Sequence, residues 1–94
     1  MTATFDVQGA WALSDRVALR PESFGALAYN FSTRRLSFLK HPQLVRVVEE
    51  LAQHDRAADA LHAAGVAPDR EPAMTRALHT LAETGTIVPR SSAR

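Results

Sequence analysis

Residues 17–40, VALRPESFGALAYNFSTRRLSFLK, are the only part of the chain that reads as sheet, and everything after them reads as helix. Val17, Leu19 and Pro21 point one way while Ala18 and Arg20 point the other, the period-2 pattern of a half-buried strand. Pro-Glu-Ser ends that strand, and a proline cannot extend a central ladder. After Phe24 and Gly25 the alternation resumes, with Leu27, Tyr29 and Phe31 on one face and Ala26, Ala28 and Asn30 on the other. A helix over residues 24–31 is the alternative, since Ala and Leu are good helix formers, but Gly25 and the aromatic residues disfavour it.

Asn30, Ser32 and Thr33 carry turn chemistry, and the short runs on either side fit a hairpin. The third strand is then residues 35–39, with Leu36 and Phe38 expected to face the core and Arg35, Ser37 and Leu39 to face out. In a simple meander this last strand lies on an open edge, where an extended peptide can add.

Upstream, Trp11-Ala12-Leu13 forms a short extended piece and Ser14-Asp15 a turn; the large Trp11 ring suits a lid on a small core. Residues 1–8 read as a flexible tail, with Phe5 and Val7 as late contacts. Downstream, His41-Pro42 switches the period, and Leu44, Val47, Val48 and Leu51 place a first helix over residues 41–53. Asp55 caps a second helix, residues 56–64, with the stripe Ala58, Leu61 and Ala64 and a stop at Gly65. A third helix with Asp69, Glu71 and Pro72 in its first turn carries Met74, Ala77, Leu78 and Leu81 and ends before Gly85. Ile87 and Val88 return to the core, and residues 89–94 form a flexible polar tail.

The expected architecture is therefore one α+β domain, residues 9–88. It is winged-helix-like, a three-stranded antiparallel sheet followed by three α-helices. Each helix is too short to persist alone in water, so packing must hold it.

Composition narrows the function. The chain has 94 residues, 46% hydrophobic and 22% charged, an ordinary balance for a globular domain. It has no cysteine, which excludes disulfides, iron–sulfur ligation and thiol catalysis by this chain. No run approaches the roughly 20 apolar residues of a membrane helix, and the N-terminus lacks a basic start followed by an apolar run. A cytoplasmic protein with no membrane partner is expected.

The imidazoles are His41, His54, His62 and His79, and none stands four residues from another on a helix, as a helical metal pair requires. There is no nucleophile elbow or glycine-rich phosphate loop. No enzyme, cofactor or metal site is expected.

The net charge of +1 also argues against nucleic acid. A winged-helix DNA-binding regulator is the competing class, but its reading helix would offer Arg76 and Arg70 beside Asp69, Glu71 and Glu83. Positive charge gathers elsewhere: Arg16, Arg20, Arg34, Arg35, Lys40 and Arg46 stand against Glu22 alone between residues 16 and 46.

Three segments carry a resemblance. Trp11-Ala-Leu-Ser, then Arg20-Pro-Glu-Ser-Phe-Gly-Ala-Leu within residues 17–29, then Arg35-Leu-Ser-Phe-Leu-Lys resemble the MftB family of mycofactocin biosynthesis chaperones, relatives of PqqD. The likeness covers about residues 11–88. It implies a PqqD-like, non-catalytic peptide-recognition domain that binds the leader of the precursor peptide MftA. It further implies presentation of that leader to MftC, a radical S-adenosylmethionine (radical SAM) enzyme. In related domains the leader adds beside the third strand, next to the third helix.

Four or five backbone hydrogen bonds to such an edge, at roughly 0.5–1.5 kcal/mol each, fall short of the ~8 kcal/mol of a micromolar complex once ordering costs are subtracted. Side-chain anchors are needed. The candidate peptide-binding set is the strand itself, Arg34, Arg35, Leu36, Ser37, Phe38, Leu39 and Lys40, together with Met74, Leu78 and Leu81 on the third helix. Leu39 and the helix residues would line a groove, and the basic residues would attract an acidic leader.

Overall fold

The computed structural model describes residues 5–90. In chain order it contains β1 (Trp11–Leu13), β2 (Val17–Glu22), β3 (Gly25–Asn30), β4 (Leu36–Leu39), α1 (Pro42–Glu50), α2 (Ala57–Ala63), α3 (Glu71–Glu83) and β5 (Ile87–Pro89). Short 3-10 turns occupy Leu51–Gln53 and Pro68–Arg70. Strands β2, β3 and β4 form the expected antiparallel meander, with three helices after it, so the α+β class holds. The return of Ile87 and Val88 takes the form of a strand: β5 pairs with β1, Ala12 opposite Val88, in a second, two-stranded sheet.

Both turns of the meander are set by local chemistry. Asn30 Oδ1 accepts hydrogen bonds from the Ser32 and Thr33 amides at 2.8 and 3.1 Å, and Arg34 closes the loop at φ 62°. This is the Asx-type turn that an asparagine at the end of a strand favours. At the other end of β3, Gly25 sits at φ 147°, and a Cβ there would overlap the Leu39 carbonyl oxygen. Only glycine lets β3 and β4 close at that point.

The register puts Ala26 opposite Leu39 and Ala28 opposite Ser37, so these four share the inner face of the sheet. Ala26, Ala28 and Leu39 are buried, and α1 packs on β3 and β4 with Leu44, Val47 and Val48 buried. Small residues on the strand permit that approach. The consequence reverses one expectation: Leu36 and Phe38 face away from the core, and Leu39 faces into it. Choosing the inner face by side-chain size fails here because the helices lie against the alanines.

Smaller differences have equally local causes. The first helix tightens into a 3-10 turn at Leu51 and stops short of residue 53 as an α-helix. The second has no side-chain cap from Asp55, and its buried stripe is Ala57, Ala60 and Leu61, with Ala58 only half-buried. Residues 5–8, expected within the tail, are tied down. Phe5 is buried against Trp11 with ring centroids 5.0 Å apart, and the Ala58 amide donates to the Val7 carbonyl at 2.8 Å. Trp11 is buried as expected of a lid, its indole N–H donating to Asp6 O.

At the C-terminal end Pro89 belongs to β5, and Arg90 donates to the carbonyls of Trp11, Leu51 and His54. Residues 1–4 and 91–94 of the expected tails lie outside the described residues.

Candidate functional site

The parity of the ladder decides which backbone groups the meander leaves over. The Asn30 amide donates to the Arg35 carbonyl at 2.9 Å, so hydrogen-bonded pairs between β3 and β4 recur every second residue, at Ala28 with Ser37 and Ala26 with Leu39. Leu36 and Phe38 therefore turn their N–H and C=O groups outward, to the side of β4 that carries no strand among the described residues.

The opposite edge is different. The Phe31 amide bonds the Arg16 carbonyl, which by the same alternation turns Val17, Leu19 and Pro21 outward on β2. Pro21 has no N–H to offer, and the Val17 amide is already bonded to Ser14 O at 3.0 Å. Edge β2 is thus blunted in the way edge strands commonly are, and edge β4 is not.

The candidate residues divide into two groups. Arg34, Arg35 and Lys40 are exposed, and none makes an ion pair among the described residues. Leu36 is 55% and Phe38 59% exposed, and Ser37 is half-buried. Leu39, Met74, Leu78 and Leu81, by contrast, are all buried in one continuous core. They do not line an open groove: α1 is the helix packed on β4, while α3 packs on β5. A helical stripe of Met and Leu carries no mark that separates core from ligand contact, which is why the sequence could not divide them.

The open hollow lies on the other side of the strand. Phe24, Phe38 and Lys40 line an apolar depression of about 410 Å³, with the Phe24 and Phe38 rings edge to face at a centroid distance of 6.0 Å. Phe24 was not among the expected site residues. Its signal was present, an aromatic beside the glycine that brings β3 against β4, but the assumption that large residues face the core concealed it.

Three of the four imidazoles are engaged in ordinary pairs: His54 with Glu50 at 3.0 Å, His62 with Glu71 at 3.3 Å and His79 with Glu83 at 3.4 Å. Among the described residues no cluster of three or more His, Asp or Glu side chains could hold a metal ion, and no helix is long and apolar enough to cross a membrane.

A three-stranded sheet with one edge blunted and the other open among the described residues, backed by three short helices, places the chain in the class of small α+β domains whose edge can pair with an extended chain. The comparisons with known proteins agree. The Peptide chaperone MftB family matches residues 10–88, and the chain belongs to that family. Among curated relatives, the peptide chaperone MftB of Mycolicibacterium smegmatis is 50% identical over 86 residues, covering 92% of this chain and 84% of the relative. Those of Mycobacterium ulcerans and Mycobacterium tuberculosis are 43% and 41% identical, over 94% and 97% of this chain and 81% and 84% of theirs. No solved structure matches. The family role is that of a peptide chaperone and is non-catalytic.

Proposed function

We propose that this chain binds the leader region of the mycofactocin precursor peptide MftA as an added strand along β4. It then presents the peptide to the radical SAM enzyme MftC, with the encounter taking place in the cytoplasm. The observation that carries the reading is the asymmetry of the two edges: β4 offers the unpaired backbone of Leu36 and Phe38, while β2 is closed by Pro21. Two residues offer one N–H and one C=O each, hence four backbone hydrogen bonds, roughly 2–6 kcal/mol in total.

The remainder comes from side chains. Arg34, Arg35 and Lys40 attract an acidic leader, and Leu36 and Phe38, with the hollow beside Phe24, receive its apolar residues. Ser37 and Leu39 face the inner side of the strand, Met74, Leu78 and Leu81 belong to the same core without packing on β4, and any direct grip by α3 residues requires α3 to shift on binding. The cofactor chemistry belongs to the enzyme.

The test is a titration of isotope-labelled protein with MftA, followed by backbone amide shifts. The amides of residues 35–39 move first and furthest. Shifts confined to β2 would remove β4 as the docking edge.

A further inference from the structure

The same meander carries an outer face that strand addition uses only along its β4 border, at Leu36, Phe38 and the hollow beside Phe24. Leu27 lies opposite Phe38 and Tyr29 opposite Leu36, so their side chains share the face of the sheet turned away from the helices. Phe31 continues that row, its ring 5.5 Å from Tyr29. On this side Phe24 is 40%, Tyr29 36%, Phe31 57%, Leu36 55% and Phe38 59% exposed. At about 150–250 Å² per large side chain these five leave on the order of 500 Å² of apolar surface in water. Patches of that size on a small domain mark an interaction site, and with a polar rim the face approaches the ~800 Å² that one partner contributes to a stable complex.

Charge selects the occupant. Arg20 stands opposite Leu27 on the same face and Lys40 beside Phe38, while Arg34 and Arg35 lie in the turn at its end. Glu22 offsets only Arg20, at 3.3 Å. In an isologous pair this patch would meet itself, basic rim against basic rim, which disfavours a second copy.

We propose that the outer face of the β2–β3–β4 sheet docks a folded partner protein whose surface has an apolar centre and an acidic rim. Building on the function proposed above, that partner is the modifying enzyme itself. The arrangement gives the two ligands adjoining grips: the peptide takes the β4 backbone with Leu36, Phe38 and the hollow beside Phe24, and the enzyme takes the rest of the face around Tyr29 and Phe31. A strand added to β4 projects every second side chain on the side of Leu36 and Phe38. The enzyme therefore reads a surface that the peptide extends, and each ligand tightens the other by the same factor.

The test pairs a face variant with both ligands. Tyr29→Ser/Phe31→Ser lies outside the β4 edge, and Phe31→Ser alone is the milder second variant should the double variant melt early. Binding of the purified, cluster-reconstituted radical SAM enzyme is measured by calorimetry with and without MftA, and MftA binding is measured separately. The expected result is a loss of roughly tenfold or more in enzyme affinity with MftA affinity unchanged.

Enzyme affinity equal to that of the unmodified chain overturns the proposal. A parallel fall in MftA affinity overturns it too, by assigning the face to the peptide. So does an unmodified chain that sediments as a dimer while the variant is a monomer. An unmodified chain that binds MftA but not the enzyme removes the presentation step and this proposal together. An unmodified chain that binds the enzyme but not MftA contradicts the edge reading alone.

Discussion

The sharpest check on the docking edge is a pair of proline substitutions one residue apart. Phe38 turns its amide outward and Ser37 turns its amide toward Ala28, so the same replacement should have opposite effects at the two positions. In Phe38→Pro the fold loses no ladder bond. The peptide loses one, and the pyrrolidine ring stands where its carbonyl would approach, leaving that carbonyl without a partner. Losing the bond and stranding the carbonyl together cost about 1–3 kcal/mol of binding, roughly 5- to 150-fold in Kd. Phe38→Ala is the reference, because it removes the same exposed ring while keeping the N–H.

In Ser37→Pro the bond to Ala28 is broken inside the sheet, which costs the fold at least about 2 kcal/mol. For a domain of 94 residues the whole stability is roughly 5–14 kcal/mol, so this loss is large. Urea unfolding followed by circular dichroism reads the stability, and calorimetry with MftA reads the binding. Phe38→Pro should match Phe38→Ala in stability to within about 1 kcal/mol and bind far more weakly. If the two bind MftA alike, the β4 backbone is not the ligand and the strand-addition reasoning is wrong.

Gly25→Ala should destabilise by about 3 kcal/mol or more, combining backbone strain with overlap on Leu39 O. An unfolding midpoint unchanged in urea would refute that account of the β3–β4 closure. Arg34→Glu/Arg35→Glu should weaken MftA binding and flatten its salt dependence without changing the melting temperature, since both side chains are exposed; an unaltered salt slope removes them from the site. Arg90→Ala should cost about 1–3 kcal/mol, because the carbonyls of Trp11 and His54 lose the guanidinium that donates to them and the Leu51 carbonyl keeps only the His54 N–H. Native-state hydrogen exchange localised to β1 and β5 would show it, and unchanged exchange there would count against the anchor.

What the sequence disclosed and what it hid follow from one physical distinction. Strand and helix positions were legible because the period changes at His41-Pro42, and period depends on neighbours in the chain. The inner face of β4 was not, because it depends on which residues the helices lie against. Leu36 and Phe38 look like core by size, yet Ala26, Ala28 and Leu39 form the floor that α1 covers. The α3 stripe was equally hard to place, because Met and Leu at helical spacing look the same in a core as on a groove wall, and here they fill the core.

The exposed aromatic side chains are where this sequence departs from what folding alone would select. Burying large rings is a ready source of stability for a small domain, and here several are held out in water around a strand whose backbone is also left unpaired. An edge open to pairing beside an apolar face is an aggregation hazard, and the arginines and lysine at its border are the usual protection against it. Those same charges repel a second copy and attract an acidic ligand, so one set of residues serves both ends. Neutralising Arg34, Arg35 and Lys40 together should therefore lower solubility as well as MftA affinity, measured by light scattering and calorimetry on the same samples. A variant that loses affinity yet stays as soluble as the parent would separate the two roles and leave the basic border to binding alone.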